Sequence, residues 1–242
     1  MIAGFIDGFT AYFKAFGIIS RYRLWSYMVI PAVLAVVLAV LIFRFAWGIS
    51  DDLGGWLISF YPFDWGRTWL VKVANVFSGL MIIAFSILFF KNLILAIASP
   101  FMSFLSENVE KQIKGLPEVP FSLSKMGSDF LRGITIAFRN IIRELFFTLI
   151  ILLIGLIPPF GLLAPIAIFL VQAYYAGFGN LDFTLERHFR VGESVRFVRK
   201  NKGLALGNGT AFLLLFFTGI GFVFALPLGA VAGTTEVLKR LE

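Results

Sequence analysis

Between Glu144 and Asp182 the chain runs for 37 residues without a charge, and the breaker PPFG stands near the middle at 158–161. A second uncharged run, Gly203–Thr235, has 33 residues and its own central breaker, TGIGF at 218–222. Two shorter runs, Leu24–Phe43 (20 residues) and Val73–Phe90 (18 residues), have no such central break. With 59% hydrophobic and 14% charged residues and a mean hydropathy of +0.90, the chain has more apolar surface than a water-soluble domain of its size can hide. An all-α integral membrane protein follows.

The hydrocarbon core of a bilayer is about 30 Å thick and takes about 20 helical residues. Residues 24–43 meet that length. The second run meets it when the helix begins near Trp69 and passes Lys91, giving 70–91. The broken runs divide into arms at 145–157, 162–176, 204–217 and 222–235. At about 1.5 Å per residue, arms of this size reach roughly 20–22 Å, short of a full crossing. The tips also carry no charge, unlike a loop that emerges into water. The expected fold is therefore two long transmembrane helices plus two re-entrant helical hairpins, 145–176 and 204–235. Six full spans, with the first arms extended back into their charged approaches, is the competing arrangement. Residues 1–23 are expected to form an amphipathic helix in the interface: Ile2, Phe5, Phe9, Tyr12, Phe13 and Phe16 fall at helical spacing. No basic n-region or cleavage site marks the start as a signal peptide.

Both arrangements put the N-terminus, 91–144, 182–202 and the C-terminus on one face. All but three of the 21 Lys and Arg lie there, the exceptions being Arg44, Arg67 and Lys72. The positive-inside rule makes that face cytoplasmic and accounts for the net charge of +7 without invoking nucleic acid. Four of five tryptophans (47, 56, 65 and 69) fall in the opposite loop, as an aromatic belt would. The charged approaches, 125–144 and 186–202, each precede a hairpin, so the unit resembles a weak internal repeat. LPEVP at 116–120 reads as a turn, and the second span continues into a helix kinked at Pro100.

Signatures of catalysis are missing: there is no GxSxG, HExxH or phosphate-binding glycine loop, no cysteine, and a single histidine, His188. Neither an enzyme, a metal site nor a cofactor is expected. Irregular backbone inside a bilayer is tolerated only where protein buries it or a watery cavity receives it. Pro158, Pro159, Gly219 and Gly221 at the hairpin tips are thus candidates to line a path, with packing elements as the plainer alternative. Gly203/Gly207 and Gly229/Gly233 are GxxxG pairs, expected to bring the arms of the second hairpin, or a neighbouring subunit, into close contact. In SRYRLW (20–25), Ser20 is a plausible N-cap, and Arg21 and Arg23 would flank a helix N-terminus in a way that suits an oxyanion, although arginines at a first span are also ordinary topology signals. Further path candidates are Asn92 and Ser99, either of which backbone could satisfy instead, Pro100, and the charged Glu107, Glu110, Arg139 and Arg143. The last four belong to a cluster with Lys111, Arg132 and Glu144 that otherwise reads as a solvated face.

ASPFMSFLSENVEKQIKG (98–115) resembles a signature of the CysZ-type sulfate permeases and the related etoposide-induced membrane proteins. GFTAYFKAF with LWSYMVIP is similar to that family's N-terminal helix leading to a proline in the first span, here Pro31, and ALPLGAVAGTTEVL is similar to its last hairpin helix. The resemblance covers roughly 5–240. It implies two long helices with two hemi-penetrating hairpins, oligomers, and sulfate entry into the cell. It also implies a Gly-Leu-Arg sulfate motif at the start of the first long helix, where this chain has Arg23-Leu24-Trp25. The function expected is passage of sulfate or a similar oxyanion through a bacterial inner membrane by a homo-oligomer with cytoplasmic termini, with a non-transporting scaffold of the same fold as the alternative.

Overall fold

The computed structural model describes the backbone of residues 1–59, 67–117, 123–157, 160–218 and 221–242, and their side chains except at 47–59, 67–78, 80 and 123–126. Among these residues there are only helices. In order they are α1 (Ile2–Arg21), a 3-10 turn (Leu24–Met28), α2 (Val29–Ser59), α3 (Arg67–Ile97), α4 (Ser99–Lys114) and α5 (Leu123–Gly155). A second 3-10 turn (Phe160–Leu162), α6 (Ala164–His188), α7 (Val191–Lys200), α8 (Lys202–Phe217) and α9 (Phe222–Leu241) complete the chain. Four described helical stretches are long and apolar enough to cross a membrane, within α1, α2, α6 and α9, or five if the bent α3–α4 pair counts as one; α8 is shorter. The chain is an all-α membrane protein. The tryptophans at 47, 56, 65 and 69, the tip residues Pro158, Pro159 and Gly219, and most of LPEVP lie outside the described side chains.

The centre of the molecule is α9, packed by α1, α2, α4, α6 and α8. Its residues from Ala225 to Leu238 are all buried. Small side chains make this enclosure possible, because Ala and Gly let neighbouring backbones approach and exchange van der Waals contact. The tightest seam joins α6 to α8: a Cβ added at Gly177 would stand 2.9 Å from the Gly209 nitrogen, and one at Gly209 would stand 2.7 Å from the Gly177 nitrogen. The two GxxxG pairs do not face each other. Gly203 and Gly207 meet α1, where an added Cβ would lie 3.1 Å from the Phe5 nitrogen and 3.0 Å from its Cα. Gly229 and Gly233 meet Asn180 of α6. Contact between the hairpin arms is real, but these pairs serve other helices.

α1 also differs from a helix lying alone in the interface. Its inner face, Gly8, Ala11, Tyr12, Ala15 and Ile19, is buried against α8 and α9. Ile2, Ile6, Phe13 and Phe16 stay exposed on the other side. The ion pair Asp7–Arg240 (2.7 Å) ties the start of α1 to the end of α9. Ser20 is not an N-cap, because α1 runs to Arg21 and the next helical turn begins after Arg23.

α3 and α4 meet at Ala98 with a bend of 64°. Pro100 explains it: without an N–H it cannot bond the Ala96 carbonyl. The Ser99 hydroxyl takes that acceptor instead at 2.8 Å. Gly115 ends α4 in the left-handed region (φ 65), and the Leu116 N–H closes back on the Lys111 carbonyl at 2.9 Å.

Candidate functional site

α6 carries polar residues on two faces, and each face builds a separate network. The first stripe is Asn180, Thr184 and Arg187, spaced i, i+4, i+7 and therefore on one side of the helix. Asn180 Nδ2 donates to Asn208 Oδ1 at 2.8 Å, and Asn208 Nδ2 donates to the Gly229 carbonyl at 3.2 Å. Tyr12 Oη accepts from Asn180 and donates to the Ala225 carbonyl, both at 3.3 Å. One turn on, the hydroxyls of Ser106, Thr184 and Thr234 form a triangle with edges of 2.8–3.0 Å. Arg187 closes the row: Nη2 donates to Ser106 Oγ at 2.8 Å and pairs with Glu110 at 3.0 Å. Lys114 at 2.7 Å and His188 at 3.3 Å also reach Glu110. Burial pushes the Glu110 carboxyl up, but Lys114, Arg187 and His188 outweigh it and hold it at about 2. A row of amide and hydroxyl groups thus leads from α1 through the α6–α9 seam to a charged cluster on α4.

The second stripe is Asp182 and Glu186. Arg132 of α5 grips Asp182 with two hydrogen bonds, 3.1 and 2.9 Å, and also donates to Ser194 Oγ at 2.8 Å and the Phe189 carbonyl at 2.9 Å. This single guanidinium staples α5, α6 and the start of α7 together. Beside it is a cavity of about 20 Å³ lined by residues that include Asn92, Ser99, Asn140, Asp182 and Glu186. That volume holds about one water. Asn92 Oδ1, Asn140 Nδ2 and Glu186 Oε1 are buried without a hydrogen-bond partner among the described residues.

A third group lies between α3 and α5. Lys91 and Glu144 are fully buried and form a direct ion pair, and Asn92 Nδ2 adds a bond to Glu144 Oε2 at 2.9 Å. Removing either partner would strand a charge in a low-dielectric interior.

The expected site residues therefore scatter. Arg21 and Arg23 are exposed at the junction of α1 and the first 3-10 turn, and neither pairs with a carboxylate among the described residues. Arg23 holds the left-handed conformation (φ 55), alone in this among the described residues other than glycine. Trp25 packs edge-on against Phe16 with centroids 5.4 Å apart. Asn92 faces the small cavity, and Ser99 is satisfied by the Ala96 and Asp129 carbonyls at 2.8 and 3.2 Å. Pro100 is buried at the α3–α4 bend, and Glu110 belongs to the Arg187 cluster. Glu107, half-buried, lies on α4. Gly221 precedes α9, its N–H bonded to Thr218 Oγ1 at 2.9 Å. Arg139 and Arg143 are away from the first stripe, on α5, where Arg139 stacks over Phe178 at 4.9 Å. The charged cluster is not a solvated face as a whole, since Glu110 and Glu144 are buried and Arg132 is mostly so. Thr184, Asp182, Arg187 and Thr234 escaped the sequence reading. For Thr184 and Arg187 the available signal was the i, i+4, i+7 spacing from Asn180 in NLDFTLER, masked by its position at the charged end of an apolar run; Asp182 lies i, i+4 from Glu186 in the same stretch, and Thr234 had no such signal.

A family model, the sulfate transporter CysZ/etoposide-induced protein 2.4, matches residues 11–227. The chain belongs to that family. Its members are transport-type membrane proteins rather than a known enzyme family, and the buried helices, polar rows and apolar exterior described above are consistent with that class. Among the described residues no group of three or more His, Asp and Glu side chains is placed to hold a metal ion.

Proposed function

We propose that this protein lets sulfate or a similar inorganic oxyanion pass through a bacterial inner membrane, by binding and electrostatics without covalent chemistry. The family match over 11–227 carries the proposal. In this reading α5–α6 and α8–α9 are re-entrant hairpins, the termini are cytoplasmic, and subunits assemble as a homo-oligomer. Arg21 and Arg23, exposed and without carboxylate partners among the described residues, collect the anion at the mouth. The buried row Ser106, Thr184, Thr234, Asn180 and Asn208 holds hydroxyl and amide groups that would exchange their present bonds to one another for a desolvating oxyanion, with Glu107 and Glu110 toward its charged end and Pro100 at the other end of α4. Asn92 and Ser99 border the neighbouring cavity. Pro158, Pro159, Gly219 and Gly221 would shape the hairpin tips.

A second reading, a non-transporting scaffold of the same fold, is favoured by one observation. Trp25 stacks on Phe16 where the family resemblance places the sulfate-motif arginine. Radiolabelled sulfate uptake into proteoliposomes separates the two. Transport predicts saturable uptake, competed by sulfate analogues but not by chloride, and reduced in the Arg21→Ala/Arg23→Ala double variant. Flux equal to empty liposomes from folded, inserted protein selects the scaffold, and unchanged flux in the double variant removes the arginines from the mechanism. Single cysteines at Phe160 and Ile220 test the hairpins, because labelling by an impermeant reagent from outside intact cells would mean full spans.

A further inference from the structure

We propose that Arg139, Arg143 and Arg199, with Tyr174 and Tyr175, form a docking site for the phosphate of an anionic phospholipid headgroup. Three helices supply the group: α5 the first two arginines, one turn apart, α7 the third, and α6 the tyrosines. Three other arginines at this end of the molecule are spent on carboxylates, Arg132 on Asp182, Arg187 on Glu110 and Arg240 on Asp7. Arg139, Arg143 and Arg199 have no such partner among the described residues. Glu144, next to Arg143 in the chain, is committed to Lys91. Positive charge therefore accumulates uncompensated. Burial lowers the Arg139 pKa from its ordinary value, and the like charges of Arg143 and Arg199 lower it further against the opposing pull of the two tyrosines. An anion placed here relieves that repulsion.

The site is also built. Arg139 is fixed by its stack over Phe178 and by a 2.8 Å bond from Nη1 to Asn140 Oδ1. Tyr174 and Tyr175 meet edge-on, centroids 5.2 Å apart, and neither hydroxyl bonds a described residue, which leaves two neutral donors beside three cationic ones. Tyrosines at this level fit a membrane–water boundary. From it, the exposed apolar side of α5 continues through Ile142, Phe146, Ile150 and Leu153 toward the hairpin tip. The eleven helical steps from 142 to 153 extend roughly 17 Å, the depth of about half a hydrocarbon core. Headgroup donors stand at one end of that strip and an acyl chain fits along it, so the occupant is a lipid rather than a free ion. Basic pockets between membrane helices take anionic headgroups by this chemistry.

The test uses the full chain in a neutral detergent, titrated with phosphatidylglycerol, phosphatidylcholine or inorganic sulfate. Bound lipid is read by native mass spectrometry and by thermal shift. Phosphatidylglycerol should bind and stabilise where phosphatidylcholine does not. Each Arg→Gln change at 139, 143 or 199 should weaken it about five-fold, from the typical contribution of a basic side chain near an anionic surface. Lys14→Gln, at an exposed position of α1, should change nothing. Should Arg139→Gln, at the half-buried position, fail to fold, the exposed Arg143→Gln alone carries the test. Equal binding of phosphatidylcholine, or undiminished phosphatidylglycerol affinity in Arg143→Gln, overturns the proposal. So does one-for-one displacement of lipid by millimolar sulfate, which would make the cluster a soluble-oxyanion site instead.

Discussion

The two hairpins look alike in sequence and play opposite parts in the molecule. The first, α5–α6, presents much of its length outward: Phe146, Phe147, Leu149, Leu153, Ile166 and Leu170 are exposed to the surroundings. The second, α8–α9, is the core, and few of its large apolar side chains, such as Leu214, Phe217 and Phe224, reach the surface. Their approaches differ as well. α5 runs unbroken for 33 residues, about 50 Å, from its charged start to the hairpin turn. The second approach breaks at Asn201, whose Nδ2 bonds the Phe197 carbonyl at 3.0 Å, in competition with the backbone ladder. A charged-approach-plus-hairpin unit is therefore repeated in pattern but not in structure. The first hairpin is held by ion pairs at its charged end, Lys91–Glu144 and Arg132–Asp182, and the second by close backbone contact along its length.

That contrast sets the expected sizes of perturbation. The largest effect should come from the foot of the first hairpin: Glu144→Ala strands Lys91 and should cost about 3–5 kcal/mol in reversible unfolding, whereas the Lys91→Met/Glu144→Leu pair should recover most of it. A double variant no better than the single would mean that the ion pair is more than a buried-charge device. Next, Gly209→Val should cost about 3 kcal/mol, because its side chain meets α6 backbone, while Leu153→Ala, on the outer face of the first hairpin, should stay within about 0.5 kcal/mol in lipid. Similar costs at the two positions would erase the distinction between an outer and a core hairpin.

A smaller effect is pH-dependent. The Glu110 carboxyl lies at about 2 in the folded protein against 4.5 ordinarily, so its contribution is fully present above pH 4.5 and is lost as pH falls toward 2. Acid titration of stability should show that loss, and Glu110→Gln should flatten it. Smallest of all, Arg23→Gly should change stability by no more than about 1 kcal/mol, in the favourable direction, because glycine holds φ 55 without a Cβ clash. The family resemblance puts glycine at this position. A clear loss of stability would show that the Arg23 side chain makes a contact worth more than the backbone strain.

The membrane class was readable from the amino-acid sequence, and the physical reason is local. Uncharged runs of 18–37 residues cannot be solvated, and a bilayer is the solvent that accepts them. Breakers at 158–161 and 218–222 likewise announce turns, because Pro and Gly act on their own backbone. The bend after α3 followed from Pro100 for the same reason. Pairing between distant helices was another matter. Nothing near Gly203 or Gly207 says that they meet Phe5 rather than the opposite arm, and the i, i+4 periodicity of Asp182 and Glu186 does not name Arg132, 50 residues from the first of them. Gly4 and Gly8 of α1, which weaken a helix taken alone, become contact surface once α8 is present, because an added Cβ would stand 3.3 Å from the Leu204 nitrogen at Gly4 and 2.8 Å from the Asn208 nitrogen at Gly8. Which face of each helix is buried depends on complementary surfaces far apart in the chain, and only the assembled tertiary structure decides that.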